Sequence, residues 1–244
     1  MAVFRIKIAG FTAEVCSLFD STRDYCARYL TDEESVFSVT VTREDLAFEQ
    51  QALDEEADRE GLRRRVFTEP FLERTAIQRK VAEQLLERSV LLIHGSAVAL
   101  DGKGYIFTAP CGTGKSTHVR LWHQVFGDRA VTVNDDKPFL RLTEEGIILC
   151  GAPWSGKHGL DTNITVPLAG ICILARGQEN RIVPVTVQEV GPFLLHQCQA
   201  PTDPAQLPRF NSLVETLLQR TPLWHMVCTI SPDAAQIAHS AMQS

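Results

Sequence analysis

The stretch that most limits what this chain can fold into is residues 109–117, which read APCGTGKST. Apart from alanine at its first position, it matches the pattern G-x-x-x-x-G-K-[ST] of loops that wrap phosphate groups with backbone N–H groups. Gly112 and Gly114 give the backbone the freedom that such a loop needs. A β-rich run precedes the stretch and an amphipathic, helix-like run from Lys115 follows it. The sequence therefore predicts an α/β fold built around a phosphate-binding loop, the P-loop.

The P-loop residues are expected to hold a nucleoside triphosphate. Lys115 would neutralise phosphate charge, and the Ser116 hydroxyl would ligate magnesium. The alternative is a simple glycine turn before a helix, but the Gly-x-Gly-Lys-Ser sequence between a strand and a helix favours phosphate binding. We therefore expect ATP and Mg²⁺ as cofactors. The predicted nucleotide-binding residues are Ala109, Pro110, Cys111, Gly112, Thr113, Gly114, Lys115, Ser116 and Thr117.

Two adjacent acids, Asp135 and Asp136, follow the buried strand predicted over residues 130–133. A kinase needs an acid to hold magnesium, and often one to accept the proton of the attacking hydroxyl. The sequence Asn-Asp-Asp is also good turn chemistry, but its place after the P-loop helix favours catalytic and metal-binding roles. His94, at the end of an earlier apolar strand, is a further catalytic candidate, with a purely structural role as the open alternative.

Residues 151–159, which read GAPWSGKHG, form a candidate substrate loop. The predicted contacts to phosphate or acceptor are Trp154, Lys157 and His158. Lys157 would stabilise the charge on the transferring phosphoryl group. The alternative is a hairpin loop in which Trp154 packs into the core, and the sequence favours neither.

The organisation of the chain is predicted from hydrophobic periodicity. Residues 1–75 read as a small α+β unit with a connecting helix, because the alternating segments 4–8 and 36–41 precede a Glu-, Arg- and Ala-rich stretch. Residues 76–244 read as the nucleotide-binding core. After residue 186 the pattern indicates helices interrupted by prolines.

Composition narrows the partners. The net charge is −6, and the one basic triplet lies in a charged stretch, so we expect no nucleic acid. No apolar run approaches the roughly 20 residues of a membrane span, and the N-terminus lacks a signal-peptide pattern. Seven cysteines without a C-x-x-C pair argue against disulfides and zinc, and His118 and His123 are spaced for different helix faces. We expect a cytoplasmic protein without a membrane partner; a homo-oligomer stays open.

Taken together, the Ile-His-Gly at 93–95, the loop at 111–116 and the Val-Asn-Asp-Asp at 133–136 resemble the catalytic core of HPr kinase/phosphorylase. That family shares its fold with the ATP-dependent phosphoenolpyruvate carboxykinases. The resemblance covers about residues 88–175 and extends to HPr kinase-like proteins encoded beside peptide-modification genes. It implies a carboxykinase-like mixed β-sheet core carrying the P-loop, with the small α+β unit before it and helices at the C-terminal end.

The resemblance also implies an activity, an ATP- and Mg-dependent transfer of the γ-phosphoryl group to a hydroxyl. His94 would lie beside the P-loop, Lys115 would bind phosphate, and Ser116 would help bind the metal. Asp135 and Asp136 would share the roles of base and magnesium ligand, in an order that the family does not fix here. The acceptor, a peptide or protein serine or a small molecule, is not identified. An ATP-binding regulator without transferase activity is the alternative, and so is a P-loop kinase with a fully parallel sheet.

Overall fold

The computed structural model describes residues 1–59, 61, 63–156 and 158–243. The chain divides into two compact units, Met1–Leu85 and Leu86–Ser244. This division falls at the end of a helix, Glu69–Leu86, and the boundary predicted at 75/76 lies inside the same helix. Within the described ranges, no helix combines the length and the apolar character needed to cross a bilayer.

In its described residues, 1–59, 61 and 63–85, the N-terminal unit holds a three-stranded sheet and three α-helices, the last of which extends to Leu86. Strands β1 (Ala2–Ile8) and β2 (Phe11–Ser17) form an antiparallel hairpin, and β3 (Phe37–Thr40) pairs parallel with β2. The strands predicted in this region are therefore confirmed. The helices are α1 (Asp20–Tyr25), α2 (Arg43–Arg59) and α3 (Glu69–Leu86). At the start of α2, the carboxylate of Asp45 accepts the backbone N–H of Thr42 at 2.8 Å.

The C-terminal unit is a mixed α/β structure, as the sequence predicts. Its strands are β4 (Val90–Leu92), β5 (Ser96–Leu100), β6 (Lys103–Thr108), β7 (Ala130–Asn134), β8 (Phe139–Leu142), β9 (Ile147–Cys150), β10 (Thr165–Arg176), β11 (Arg181–Pro184) and β12 (Leu223–Cys228). Its helices are α4 (Lys115–Phe126), α5 (Val187–Gln197), α6 (Leu207–Arg220) and α7 (Pro232–Met242).

These strands form one curled sheet because β10 belongs to both of its parts. The path is β4-β8-β9-β10-β6-β5-β7, with β12 beside β10 and β11 beside β12. The first residues of β10 pair antiparallel with β9, and its later residues lie parallel between β6 and β12. Helices cover both faces. On β5, Ala97 and Ala99 belong to the core under α5 and α6, whereas Val98 and Leu100 belong to the core under α4 and α7.

The C-terminal part is less helical than predicted. Strand β12 lies in the stretch after residue 186 that was predicted to be helical, between α6 and α7, and it is an interior strand flanked by β10 and β11. Its sequence, LWHMVC, lacks the period of two of a half-buried strand. A short interior strand of a parallel pair is covered on both faces, so its residues do not alternate.

The topology brings several chain segments to one edge of the sheet. Strands β6 and β7 are both antiparallel to β5, and β10 and β12 run parallel to β6. The carboxyl ends of β6, β7, β10 and β12 therefore lie at the same end of the sheet, where β5 begins. Ligands bind at this edge in open α/β sheets. The P-loop follows β6 there, and the two predicted aspartates follow β7.

Candidate functional site

The P-loop has the backbone geometry that its sequence predicts. Gly112 and Gly114 lie at φ of 74° and 120°, in the region that favours glycine. Helix α4 begins at Lys115, directly after the loop, and has no acidic side chain in its first turn. Its first N–H groups and its dipole therefore offer a site for an anion. Ala109, the departure from the motif, is fully buried in the core under α4 and has no positive φ, which explains why alanine is accepted there.

Lys115 and Ser116 occupy the first turn of α4 beside the end of β7. The Lys115 ammonium donates to the carbonyl of Ala109 at 3.1 Å. Burial lowers the pKa of Lys115, although Cys111 and Asp136 act in the opposite direction. The Ser116 hydroxyl lies 3.3 Å from the hydroxyl of Ser96, which itself donates to the carbonyl of Asp135 at 2.7 Å.

Asp135 is a buried carboxylate with one partner. The residue is 3% exposed, and its side-chain Oδ1 accepts the backbone N–H of Gly156 at 2.6 Å. Its Oδ2 is buried and has no hydrogen-bond partner in the described part of the chain. Burial raises the pKa of Asp135 and the charge of Asp136 adds to this, while the Gly156 N–H and His158 oppose it.

Asp136 has the opposite environment. His94 Nε2 lies 3.3 Å from Asp136 Oδ1. Burial raises the pKa of Asp136, but the hydrogen bond from His94 and the charges of Lys137, His94 and Lys115 outweigh it, so the net pKa lies below the usual value. Adjacent carboxyls with pKa values pushed apart are typical of acid–base sites. The structure thus brings four predicted catalytic residues, His94, Lys115, Asp135 and Asp136, to one end of the P-loop.

Asn134, which the sequence interpretation passed over, fixes this corner of the site. The residue is fully buried, and its amide nitrogen donates to the carbonyls of Ala152 at 2.8 Å and Trp154 at 3.2 Å. Its amide oxygen accepts the backbone N–H groups of Asp136 at 2.9 Å and Lys137 at 2.6 Å. One side chain therefore ties the turn that carries the aspartates to the 151–159 segment. An Asn before two acids gives only a turn signal in sequence, so this link could not be read from the pattern.

The predicted substrate loop lies directly on Asp135. The Asp135 N–H donates to the carbonyl of Leu160 at 3.0 Å. Trp154 is 5% exposed and packs edge-on against Phe139, with 6.2 Å between ring centroids, which is the packing alternative. His158 is exposed and close enough to influence Asp135. Lys157, the third predicted contact, lies outside the described residues.

A second cation that sequence reasoning missed contacts the P-loop from the opposite side. Arg176, the last residue of β10, donates through Nε to the carbonyl of Thr113 at 3.2 Å and through a second nitrogen to the carbonyl of Gly112. No motif contains it, because the contact depends on β10 lying beside β6.

The donor set near the P-loop suits magnesium. Ser116 and the two aspartates offer oxygen atoms, which hard cations prefer, and Asp135 Oδ2 is an unused buried oxygen. The described residues contain no cluster of three His, Cys, Asp or Glu side chains that could hold a metal by themselves. Magnesium fits such a site because it is usually held by one or two carboxylates together with substrate phosphates.

Comparison with known proteins finds likeness among solved structures. No family model matches the chain, and no curated protein matches it significantly. A solved HPr(Ser) kinase/phosphatase from Coxiella burnetii is 11% identical over an alignment covering 63% of this chain and 99% of that chain, with a TM-score of 0.34. Any function for this chain is therefore inferred from its own site.

Proposed function

We propose that this protein is an ATP- and Mg²⁺-dependent kinase that transfers the γ-phosphoryl group to a hydroxyl of a peptide, a protein serine or a small molecule. The observation that carries the proposal is the pairing of two unlike carboxyls at the end of a P-loop. Asp136 is held ionised by His94, while Asp135 is buried with a raised pKa. A phosphoryl-transfer site needs an acid that holds magnesium, and it often uses a second group that accepts the proton of the attacking hydroxyl.

The two aspartates divide the work in this proposal. Asp136, ionised and influenced by the charge of Lys115, holds the metal together with Ser116. Asp135 accepts the proton of the acceptor hydroxyl, for which a pKa raised above its ordinary value is favourable. Oδ2, which has no partner among the described residues, is the atom that takes the proton. Magnesium, when bound, supplies neutralisation of the phosphate charge. Lys115 and the first-turn amides of α4 hold the phosphates in line with the acceptor.

A second function, an ATP-binding regulator without transferase activity, is favoured by a different observation. Asp135 is almost fully buried, and the Gly156 N–H covers Oδ1. An acceptor reaches this carboxyl only if the segment around Gly156 moves. A protein that senses ATP without transferring phosphate needs no such movement.

Labelled ATP separates the two functions. The purified protein is incubated with Mg²⁺ and γ-³²P-ATP against a serine- and threonine-containing peptide library and a panel of small polyols. ATP binding is read in parallel as protection of the exposed Cys111 from iodoacetamide, with partly exposed Cys16 of the N-terminal unit as the internal control. The kinase transfers label, and Lys115→Ala and Asp135→Asn abolish the transfer. Protection of Cys111 without transfer to any acceptor identifies the regulator. If ATP neither protects Cys111 nor transfers label, both proposed functions are contradicted.

A further inference from the structure

A cavity of about 510 Å³ opens beside the P-loop on the side of β10 and β12. The aspartates follow β7, which lies on the other side of β6 in the sheet order. The walls come from the P-loop backbone at Gly112 and Gly114, from α4 and from the ends of β10 and β12. Its volume falls in the range of about 300–1,000 Å³ that small-molecule sites occupy.

One residue of the cavity wall, His118, is buried without a hydrogen-bond partner among the described residues. It lies on α4, one residue after the P-loop, lines the cavity, and is 2% exposed. Neither ring nitrogen has a hydrogen-bond partner among the described residues, although the ring packs against Phe107 at 4.4 Å between centroids. Buried polar groups are nearly always hydrogen-bonded, so an imidazole with two unused nitrogens beside a cavity points to a partner from outside the chain. Both nitrogens are closed off from solvent in this structure, so the ring must turn towards the cavity to meet such a partner.

The chemistry of the walls limits what that partner is. Burial lowers the pKa of His118 to about 4, so its ring is neutral at physiological pH and offers one donor and one acceptor. Leu121 and Leu174 provide apolar surface, and Gln178 and Thr229 provide neutral polar groups. The described lining residues include a cation, Arg176, but no Asp or Glu. A flat, neutral, polar-edged group attached to phosphates fits this combination.

We propose that this cavity binds the ribose and base of the nucleoside triphosphate, with His118 donating or accepting the hydrogen bond that orients them. The inference rests on the proposed function, because it needs the triphosphate to lie on the P-loop. It sets the direction of the nucleotide: the γ-phosphate faces Asp135 and Asp136, and the nucleoside lies over α4 towards Arg176. The first turn of α4, where Thr117 ends the P-loop and His118 follows it, spans the two ends.

Two ligands that share phosphates but differ in the nucleoside test this proposal. Binding of Mg·ATP and of Mg·tripolyphosphate is measured by calorimetry for the wild type, His118→Phe, Lys115→Ala and His123→Phe. His123 is the matched control, because it lies on the same helix, bonds to Thr132 and does not line the cavity. We expect His118→Phe to weaken ATP about 5- to 10-fold, the worth of one hydrogen bond, and to leave tripolyphosphate unchanged. His123→Phe should change neither ligand, and Lys115→Ala should weaken both.

Equal effects of His118→Phe on both ligands, or an effect on neither, would overturn the proposal while leaving ATP binding at the P-loop intact. If the wild type binds neither ligand, the proposed function itself fails. A measurement on the wild type guards against a misfolded variant: the ¹⁵N shifts of the His118 ring should move with Mg·ATP and stay fixed with Mg·tripolyphosphate. Shifts of the His118 ring that do not change with Mg·ATP, while calorimetry shows that it binds, would also overturn the proposal.

Discussion

At the scale of the residue, neighbouring aspartates acquire different properties from what surrounds them. Asp135 loses water and gains one backbone N–H, whereas Asp136 gains an imidazole and lies near two lysines. Burial without sufficient partners raises a carboxyl pKa, and nearby cations lower it. Sequence singles out both residues because of their position after a strand. It could not divide their roles, since the partners His94 and Gly156 come from distant parts of the chain.

We predict that Asp135→Asn is at least as stable as the wild type at neutral pH while losing phosphoryl transfer. The raised pKa means that the native state holds the proton of Asp135 more tightly than the unfolded state does. Its contribution to the free energy of unfolding therefore falls as pH rises from the ordinary value of 3.8 through the folded-state pKa. Asparagine removes this loss and still accepts the Gly156 N–H. Urea unfolding of the wild type and of Asp135→Asn, measured from acidic to neutral pH, checks this prediction. A variant less stable than the wild type at neutral pH would count against a raised pKa for Asp135.

We predict the reverse for Asp136→Asn. Its lowered pKa gives stability that is present above the ordinary value of 3.8 and is lost as pH falls through the folded-state pKa. The variant should be destabilised by about 1 kcal/mol at neutral pH, because the pair with His94 is partly exposed. The same urea series should show the difference from the wild type vanish in acid. A difference that persists there would mean that packing, not charge, is responsible.

Trp154 gives a prediction that separates packing from substrate contact. Because the side chain is buried against Phe139, Trp154→Ala should lower the free energy of unfolding by about 3–5 kcal/mol. Trp154→Phe, which keeps an aromatic ring, should lose less. Urea denaturation gives both values. If Trp154→Ala unfolds like the wild type but loses activity, the indole serves the substrate loop instead of the core.

At the scale of the element, Asn134 joins the end of β7 to the 151–159 segment through hydrogen bonds. The amide group donates to two carbonyls and accepts from two N–H groups at once, and only asparagine or glutamine carries two donor hydrogens and a twofold acceptor on one side chain. The segment therefore holds Asp135 in place from one side, while Ser96 on β5 binds its carbonyl from the other.

We predict that Asn134→Asp separates ATP binding from transfer. A carboxylate can accept the N–H groups of Asp136 and Lys137, but it cannot donate to the carbonyls of Ala152 and Trp154. The segment should therefore come away from the aspartates, with phosphoryl transfer reduced at least about tenfold. ATP affinity should change little, because the P-loop is built on β6 and α4. Parallel measurement of transfer rate and of ATP affinity tests this, and an equal loss of both would show that Asn134 supports the whole site.

The sequence predicts elements well where their signal is local. The strand–loop–helix unit around residues 109–117 and the hairpin of β8 and β9 carry their turn chemistry in the sequence. Strand β12 does not, because its strand character comes from its place between β10 and β11. Arg176 and His118 were missed as site residues because their places depend on tertiary structure. The contact of Arg176 with the P-loop follows from the strand order. The burial of His118 cannot be read from its five-residue spacing from His123.

At the scale of the whole molecule, the site residues all belong to the C-terminal unit. The unit Leu86–Ser244 contains the P-loop, the aspartates and the cavity, and it has its own buried core on both faces of the sheet. The N-terminal unit has a separate core and contributes no described residue to the site as we define it.

We predict that residues 86–244, produced alone, fold and bind Mg·ATP with an affinity within about threefold of the full chain, because a unit with its own core can fold by itself. Circular dichroism and calorimetry on the two proteins make the comparison. A folded fragment that does not bind ATP would place part of the site in the N-terminal unit. A fragment that does not fold would show that the two units share their stability.

The most direct test of the central claim is a crystal structure of the full protein with Mg²⁺ and a non-hydrolysable ATP analogue. The triphosphate should lie across the P-loop, with the γ-phosphate within hydrogen-bond distance of Lys115 Nζ and magnesium beside Ser116 and Asp136. The carboxyl of Asp135 should face the side from which a hydroxyl would attack. A triphosphate bound elsewhere, or one whose γ-phosphate points towards Arg176 and away from the aspartates, would contradict the account.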